Sequence, residues 1–156
     1  MSQHTTETIW VGMDVHQASI TAAILRGDHP EPEVVRLPGD LNAARRLFRR
    51  LTNKGVPRAC YEASGAGFVL QRTLERDGFH CEVIAPSLIP SLPGDRRKTD
   101  RLDAVHLARM YRSGHLTSVR VPDEDQEAIR HLVRLQPKEA RILREDGEVE
   151  IPVEAV

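Results

Sequence analysis

A strand–helix–strand pattern in the middle of the chain constrains the fold most. Residues 57–64 (PRACYEAS) form a short apolar segment that ends in charge, and residues 80–86 (HCEVIAP) form a second one stopped by proline. Between them, residues 65–78 place apolar side chains at helical spacing and end at Gly78. A β-α-β unit of this length predicts two parallel strands joined by a right-handed crossover.

Three further segments of β type precede this unit. Residues 9–16, 19–27 and 33–39 are rich in apolar and β-branched side chains, and the first two are separated by hairpin spacing. Residues 40–55 then change to helical period, with Asp40 suited to be the N-cap. Three strands, a helix and a β-α-β unit predict an α/β fold, a mixed sheet with helices on its faces.

The second half of the chain continues with alternating elements. Residues 100–113 predict a helix with Leu102, Val105, Leu107 and Met110 as its apolar side chains. Residues 116–122 predict a strand or an extended segment, and residues 123–135 predict a helix. The expected organisation is a flexible N-terminus (1–8), one domain (9–135) and a divergent, acidic, disordered tail (136–156).

Composition excludes several classes of protein. Hydrophobic residues make up 40% and charged residues 29% of 156 residues, which is typical of one globular domain. The chain contains no apolar run of about 18 residues and no secretion signal, so we expect a cytoplasmic protein without a membrane partner. Cys60 and Cys81 lack a CxxC pattern, which excludes a zinc ribbon and predicts two buried thiols.

The charge balance gives little support for a broad nucleic-acid surface. The net charge is −1, and residues 1–136 carry 19 Lys or Arg against 17 Asp or Glu. Proteins that bind nucleic acid over a large face are usually more basic. Four arginines in residues 45–50 have the spacing of a solvated helix face. Contacts with nucleic acid would therefore have to come from local patches.

Four carboxylates stand at positions that could meet. Asp14 comes near the end of the first predicted strand and Glu62 at the end of the fourth, while Asp100 and Asp103 begin a later helix. If the first and fourth strands are parallel, their carboxyl ends share one edge of the sheet, where ligand sites occur. Residues i and i+3 of a helix lie on the same side.

Such a group of acids is typical of a metal centre. Carboxylates brought together without a cation repel one another and raise each other's pKa values. Oxygen donors alone suit a hard cation such as Mg²⁺ or Mn²⁺. Two such ions about 3.5–4 Å apart can stabilise both the attacking and the leaving oxygen in phosphodiester chemistry. The pattern therefore favours metal-dependent phosphoryl transfer on a polynucleotide.

Each acid also has an ordinary structural interpretation. Asp14 could be a turn residue, Glu62 could precede a helix, Asp100 could be an N-cap, and Asp103 could simply favour the helix dipole. His106, three residues after Asp103, could neighbour a metal, but a packing or surface role is the better interpretation. Taken one at a time, these alternatives are favoured. The ordered set of four favours the site.

Several blocks resemble one protein family. The blocks VGMDVHQASI, YEASGAGF, APSLIP and KTDRLDA look like the N-terminal half of DEDD-type insertion-sequence transposases, over about residues 9–134. This family has an RNase H-like (RuvC-like) domain. The resemblance implies that four acids hold Mg²⁺ (or Mn²⁺) for cleavage and exchange of DNA strands: Asp14, Glu62, Asp100 and Asp103. It also implies phosphate contacts by Lys98 and Arg101, with contributions from Arg96 and Arg97.

The resemblance also predicts partners. They are DNA, as insertion-sequence ends and target, and further copies of the chain in a homo-oligomer. Some members use a guide (bridge) RNA, so this RNA is a further candidate partner. Family members carry a second domain with a serine nucleophile, and the similarity is expected to fade after Arg134. The alternative functions are therefore a non-catalytic binding or oligomerisation fragment that modulates a full-length transposase, and a metal-dependent nuclease.

Overall fold

The computed structural model describes residues 7–63, 65, 67–90, 99–135, 139–144 and 147–152, with side chains as far as residue 134. The chain divides into two compact units, residues 1–120 and 121–156. The first unit ends before the domain boundary predicted at residue 135. The division into an N-terminus, a catalytic domain and a tail stays a prediction. Most of the predicted flexible N-terminus lies outside the described residues, and Thr8 already begins a strand.

The first unit contains five strands and three α-helices among its described residues. In chain order they are β1 (Thr8–Val15), β2 (Ser19–Arg26), β3 (Glu33–Pro38), α1 (Leu41–Thr52), β4 (Val56–Glu62), α2 (Val69–Arg76), β5 (His80–Ile84) and α3 (Asp100–Arg112). A single 3-10 turn, Pro86–Leu88, follows β5.

The strands form one mixed sheet in the order β3-β2-β1-β4-β5. β2 is antiparallel to both of its neighbours, whereas β1, β4 and β5 are mutually parallel. The hairpin spacing and the crossover unit thus produce the pairings that the sequence predicted. The arrangement confirms the predicted α/β, RNase H-like fold and makes β1 and β4 adjacent parallel strands.

Both faces of the sheet are buried. One face carries Ala23, Leu25 and Cys60, which pack against α3. Ile9, Val11 and Met13 alternate to the other face, which α1 and α2 cover, and all three are fully buried. On the α3 side, the rings of Trp10 and Tyr111 meet edge to face with centroids 5.2 Å apart. The long apolar run of β1 follows from this two-sided burial.

Helix α3 approaches β1 unusually closely. A Cβ atom at Gly12 would overlap backbone atoms of Ala104 and Ala108, so glycine is needed there. Four side chains of α3 are buried, namely those of Ala104, Leu107, Ala108 and Tyr111. The predicted inward set was therefore wrong in part, because Leu102 is 40% exposed. At the contact with Gly12, the small side chains of Ala104 and Ala108 face the sheet because the helix and strand backbones leave no space there for larger ones.

Helix α1 begins as predicted, with Asp40 accepting a hydrogen bond from the backbone N–H of Asn42. Its arginines are not all simply solvated. Arg45 donates two hydrogen bonds to Asp77, at 2.6 and 2.8 Å, and so links α1 to the end of α2. These hydrogen bonds are the main cause of a lowered pKa for Asp77. The pair therefore stabilises the fold at neutral pH, and this contribution is lost as pH falls through the pKa of Asp77.

Two predicted elements differ from the structure. Helix α2 begins at Val69 instead of residue 65, and Gly67, at φ 64°, has a left-handed backbone that precedes it. Residues 116–122, predicted as a strand or an extended segment, form no full strand and make one antiparallel bridge, between Ser118 and Ile84. The sequence LTSVRVP does not reveal whether such a segment finds a full strand partner.

The second unit consists of α4 (Glu124–Leu135), β6 (Glu139–Arg144) and β7 (Gly147–Pro152) among its described residues. α4 begins one residue later than predicted, ends at the predicted residue and has the predicted acidic start, with the Asp123 carboxylate accepting from the Gln126 N–H at 2.7 Å. β6 and β7 pair antiparallel where the sequence predicted disorder. The Asp-Gly dipeptide at 146–147 and the alternation of apolar and charged residues in "GEVEIP" both indicate a hairpin. The prediction of disorder gave more weight to the acidic composition.

The two cysteines are free and buried, as predicted. Burial raises the pKa of both the Cys60 and Cys81 thiols, so both stay protonated at neutral pH. Among the described residues, no helix is both long and apolar enough to cross a membrane.

The close contact at Gly12 yields a stability prediction. We expect Gly12→Ala to lower the free energy of unfolding by about 3 kcal/mol or more, the upper end of the usual cost of overpacking. Backbone atoms of α3 must move to admit the methyl group. Gly65→Ala is the matched control, because a Cβ there meets nothing within 4 Å. Urea denaturation measures both, and equal stabilities of the two variants would contradict the packing argument.

Candidate functional site

Two of the four acids end neighbouring parallel strands. Asp14 is the penultimate residue of β1 and Glu62 is the last residue of β4. Both stand one step beyond the paired residues Met13 and Tyr61. Because the strands are parallel and the pairing continues in register to this point, the two carboxylates share one edge and one face of the sheet.

A buried tyrosine supports the turn after Glu62. The Tyr61 hydroxyl donates a hydrogen bond of 2.9 Å to the carbonyl oxygen of Gly67. Burial raises the pKa of Tyr61, so its hydroxyl stays protonated and remains a donor. The interaction fixes the path of the chain as it leaves β4, which is the point where Glu62 projects.

The other two acids occupy the first turns of α3. Thr99 is the N-cap and its hydroxyl accepts from the Leu102 N–H at 3.2 Å. The interpretation of Asp100 as the N-cap is therefore wrong, because Asp100 is the first residue of the helix itself. With Thr99 capping the helix, the carboxylate of Asp100 is directed to the sheet edge. Asp103 lies one turn later on the same side.

All four carboxylates line one cavity. It has a volume of about 350 Å³, and its lining residues are Asp14, Val15, His16, Glu62, Thr99, Asp100 and Asp103. The structure thus brings together the four acids that the sequence singled out, two from the sheet and two from the helix. Their chemical role is a separate question from their position.

Histidine 16 lies among these acids. Its Nε2 atom donates to Asp14 Oδ2 at 3.0 Å and is 3.6 Å from Asp100 Oδ1. One ligand atom from each of Asp14, His16 and Asp100 lies within 4.8 Å of the others. His16 was not among the predicted site residues, although "DVH" places it two positions after Asp14, on the same side of an extended chain.

Arginine 36 also reaches the site and was missed. Across the sheet, Asp14 pairs with Thr21 and Thr21 pairs with Arg36, so the three side chains project from one face. The guanidinium of Arg36 donates to the Ser19 hydroxyl at 3.2 Å and is 3.9 Å from Asp100 Oδ2. Its side chain is 70% exposed. It is a cation at the rim of a cavity lined by acids.

The predicted phosphate contacts can be placed only in part. Arg101 lies in the first turn of α3 and is exposed. Arg96, Arg97 and Lys98 lie outside the described residues. The sequence order nonetheless attaches these three cations directly to the start of α3.

Histidine 106 has a different role from the acids. Its Nε2 atom donates a 2.7 Å hydrogen bond to the carbonyl oxygen of Pro90. The favoured interpretation, a packing histidine, agrees with this contact. The bond anchors α3 to the segment that follows β5, and Arg112 similarly donates to the carbonyl oxygens of Gly27 and His29. These contacts hold the helix that carries two of the acids.

Comparison with known proteins assigns the family. A transposase family model, that of the IS110-type DEDD transposases, matches residues 11–146. The chain belongs to the IS110-type DEDD transposase family. The match extends past Arg134, where the resemblance was expected to fade.

Two relatives carry transposase names. The chain is 44% identical over 140 residues to the protein y4qE of Sinorhizobium fredii, covering 86% of this chain and 35% of that protein. It is 33% identical over 129 residues to the transposase for insertion sequence element IS1533 of Leptospira borgpetersenii, covering 81% and 37% respectively. The chain therefore spans about a third of the length of these curated relatives.

Among solved structures, the chain is similar to the large terminase nuclease from thermophilic phage G20c. The TM-score is 0.41 and the sequence identity 14%, over 94% of this chain and 73% of that one.

The threonine cap yields a prediction about the site. We expect Thr99→Ala to lower the free energy of unfolding by about 1 kcal/mol, because the Leu102 N–H loses its acceptor. Thr99→Ser keeps the hydroxyl and should retain most of that stability. Chemical denaturation of the three proteins measures the difference. If the serine and alanine variants are equally destabilised, the hydroxyl is not what stabilises the start of α3.

Proposed function

We propose that this chain forms the metal-binding catalytic part of a DNA transposase. In this proposal, Asp14, Glu62, Asp100 and Asp103 hold divalent cations, Mg²⁺ or Mn²⁺, for cleavage and exchange of DNA strands. The observation that carries the proposal is the convergence of four carboxylates from three separate elements on one cavity. Membership of the DEDD transposase family supports the same reaction class.

The donor set fits a hard cation. Four carboxylates offer up to eight oxygens around a cavity of about 350 Å³, which is the donor chemistry that Mg²⁺ and Mn²⁺ prefer. Carboxylates this close also gain from a cation that relieves their repulsion. When bound, such ions stabilise the charge on the attacking and leaving oxygens of a phosphodiester.

The residues of the chain have separable tasks in this reaction. Asp14 and Glu62 extend from strands of the central sheet, which holds their carboxylates in fixed positions. Asp100 and Asp103 extend from the N-terminal turns of α3, which Thr99 caps. Arg36, at the rim, is placed to bind a phosphate oxygen of the DNA strand. Arg101, together with Arg96, Arg97 and Lys98, would extend this phosphate contact along the strand.

Partners follow from the reaction. The DNA at the site would be insertion-sequence ends and target, which fits the cytoplasmic location predicted from the sequence. The family resemblance assigns a serine nucleophile to a second domain, so the present residues would contribute the metal-binding half of the reaction. A bridge RNA and a homo-oligomer belong to the same proposal.

A metal titration tests the site. We expect calorimetry to detect Mn²⁺ and Mg²⁺ binding to the chain and to lose it in an Asp14→Asn, Asp100→Asn double variant. At a free ion concentration 100 times the Kd, bound metal should raise the free energy of unfolding by about 2.7 kcal/mol. Glu31→Gln is the control, because Glu31 is exposed in the loop between β2 and β3, away from the cavity. Unchanged metal affinity in the double variant would overturn the assignment.

A DNA titration tests the role of Arg36. We expect Arg36→Gln to weaken binding of duplex DNA in the presence of Mn²⁺ and to reduce the slope of log affinity against log salt by about one. Arg50→Gln removes another exposed arginine, on α1 and outside the cavity lining, and should leave the slope unchanged. Fluorescence anisotropy at several salt concentrations measures both. Identical slopes for the two variants would remove Arg36 from the interface.

A second candidate function is regulation of an intact transposase by association. One face of α4 exposes Ile129, Leu132 and Val133, at 60%, 64% and 59%, with the i, i+3, i+4 spacing of a contact surface. The same acid variant separates the two functions. The measurement is whether the chain interferes with transposition by a full-length relative. If the Asp14→Asn, Asp100→Asn variant still interferes, the result favours association. Interference through metal-dependent DNA chemistry would be lost in this variant.

A further inference from the structure

A nitrogen donor stands between two of the acids. His16 Nε2 lies 3.0 Å from Asp14 Oδ2 and 3.6 Å from Asp100 Oδ1. Among the described residues, one group of histidine, cysteine or acidic side chains has ligand atoms that all lie within 4.8 Å of one another. This group is Asp14, His16 and Asp100. Two of these three belong to the proposed carboxylate set. The third is not a carboxylate.

These separations suit shared ligation of one cation. In an octahedral site with bonds of about 2.1 Å, neighbouring donors are about 3.0 Å apart and opposite donors about 4.2 Å apart. The distance from Nε2 to Asp14 Oδ2 equals that between neighbouring ligands, and the distance to Asp100 Oδ1 lies between the values for neighbouring and opposite ligands. A cation bound here takes the place of the proton that Nε2 donates to Asp14, so the neutral ring carries its proton on Nδ1 and offers the Nε2 lone pair without any change in the backbone.

The surroundings of His16 leave its ring available. Its side chain is 56% exposed, against 18% for Asp14. The residue lines the carboxylate cavity and also a larger neighbouring cavity of about 690 Å³, which Ile20, Leu41 and Leu70 help to enclose. The ring is therefore open to ions in solution and is not held in the core by packing.

We propose that His16 Nε2 is a ligand of the cation bound between Asp14 and Asp100. The inference rests on the proposed metal site and adds a nitrogen to its oxygen donors. Imidazole nitrogen favours first-row transition-metal ions over Mg²⁺, which retains oxygen ligands and water. The centre should accordingly bind Mn²⁺, and Co²⁺ more strongly still, in preference to Mg²⁺.

Pulsed electron paramagnetic resonance of bound Mn²⁺ tests this directly. We expect the wild-type chain with one equivalent of Mn²⁺ to show modulation from a coordinated imidazole ¹⁴N. The pattern should change to that of ¹⁵N when the protein is labelled with ¹⁵N-histidine. This measurement uses the unaltered chain, so it does not depend on the folding of any variant.

Variants then assign the nitrogen to one residue. His16→Gln should abolish the ¹⁴N signal and weaken Mn²⁺ binding about tenfold or more, with less than a twofold change for Mg²⁺. His29→Gln is the matched control, since His29 is an exposed histidine in the loop after β2. It should keep both the signal and the affinity.

The outcomes separate this inference from the proposed function. If Mn²⁺ binding depends on Asp14 and Asp100 but the spectrum shows no histidine nitrogen, the role of His16 is overturned and the carboxylate site is left intact. A nitrogen signal that survives in His16→Gln also overturns it. Absence of any Mn²⁺ binding to the wild-type chain overturns the proposed metal site itself.

Discussion

The contact between Gly12 and the backbone of α3 is the constraint on which the site depends. Helix and strand meet without intervening side chains, because Ala104 and Ala108 present only methyl groups and Gly12 presents none. The start of α3 is consequently brought down to the edge of the sheet. Asp100 can then lie near Asp14 although 86 positions separate them in sequence. A larger side chain at this contact would lift the helix and separate the two pairs of acids.

Much of the fold follows from periodicity. The change from period two to helical period after residue 39 predicts α1 with its Asp40 cap, and the parallel pairing of β4 with β5 follows from one β-α-β unit. The inward face of α3 could not be predicted in the same way. Hydrophobicity favours Leu102 as a core residue, yet the available space is set by Gly12 on a strand distant in sequence. Apolar character indicates what can be buried, while backbone separation decides what is buried.

The site shows a similar division. The four acids could be chosen from sequence because each comes at the end or the beginning of an element, where topology alone decides their meeting place. Arg36 and His16 could not, because their contribution depends on register and on side-chain direction. Arg36 in "EVVRLP" looks like any charged residue of an edge strand until its alignment with Thr21 and Asp14 is known.

That alignment makes the charge of the cavity sensitive to a distant loop. Residues 27–32 join β2 to β3 at the opposite end of the sheet, and β2 extends about 16 Å from there to Thr21. One residue gained or lost in this loop could shift β3 by a single position along β2. Val35 or Leu37 would then replace Arg36 beside the acids, since a shift of one residue exchanges the two faces of a strand. Changes in length at a surface turn could thus remove a positive charge from the rim of the cavity, while every carboxylate stays in place.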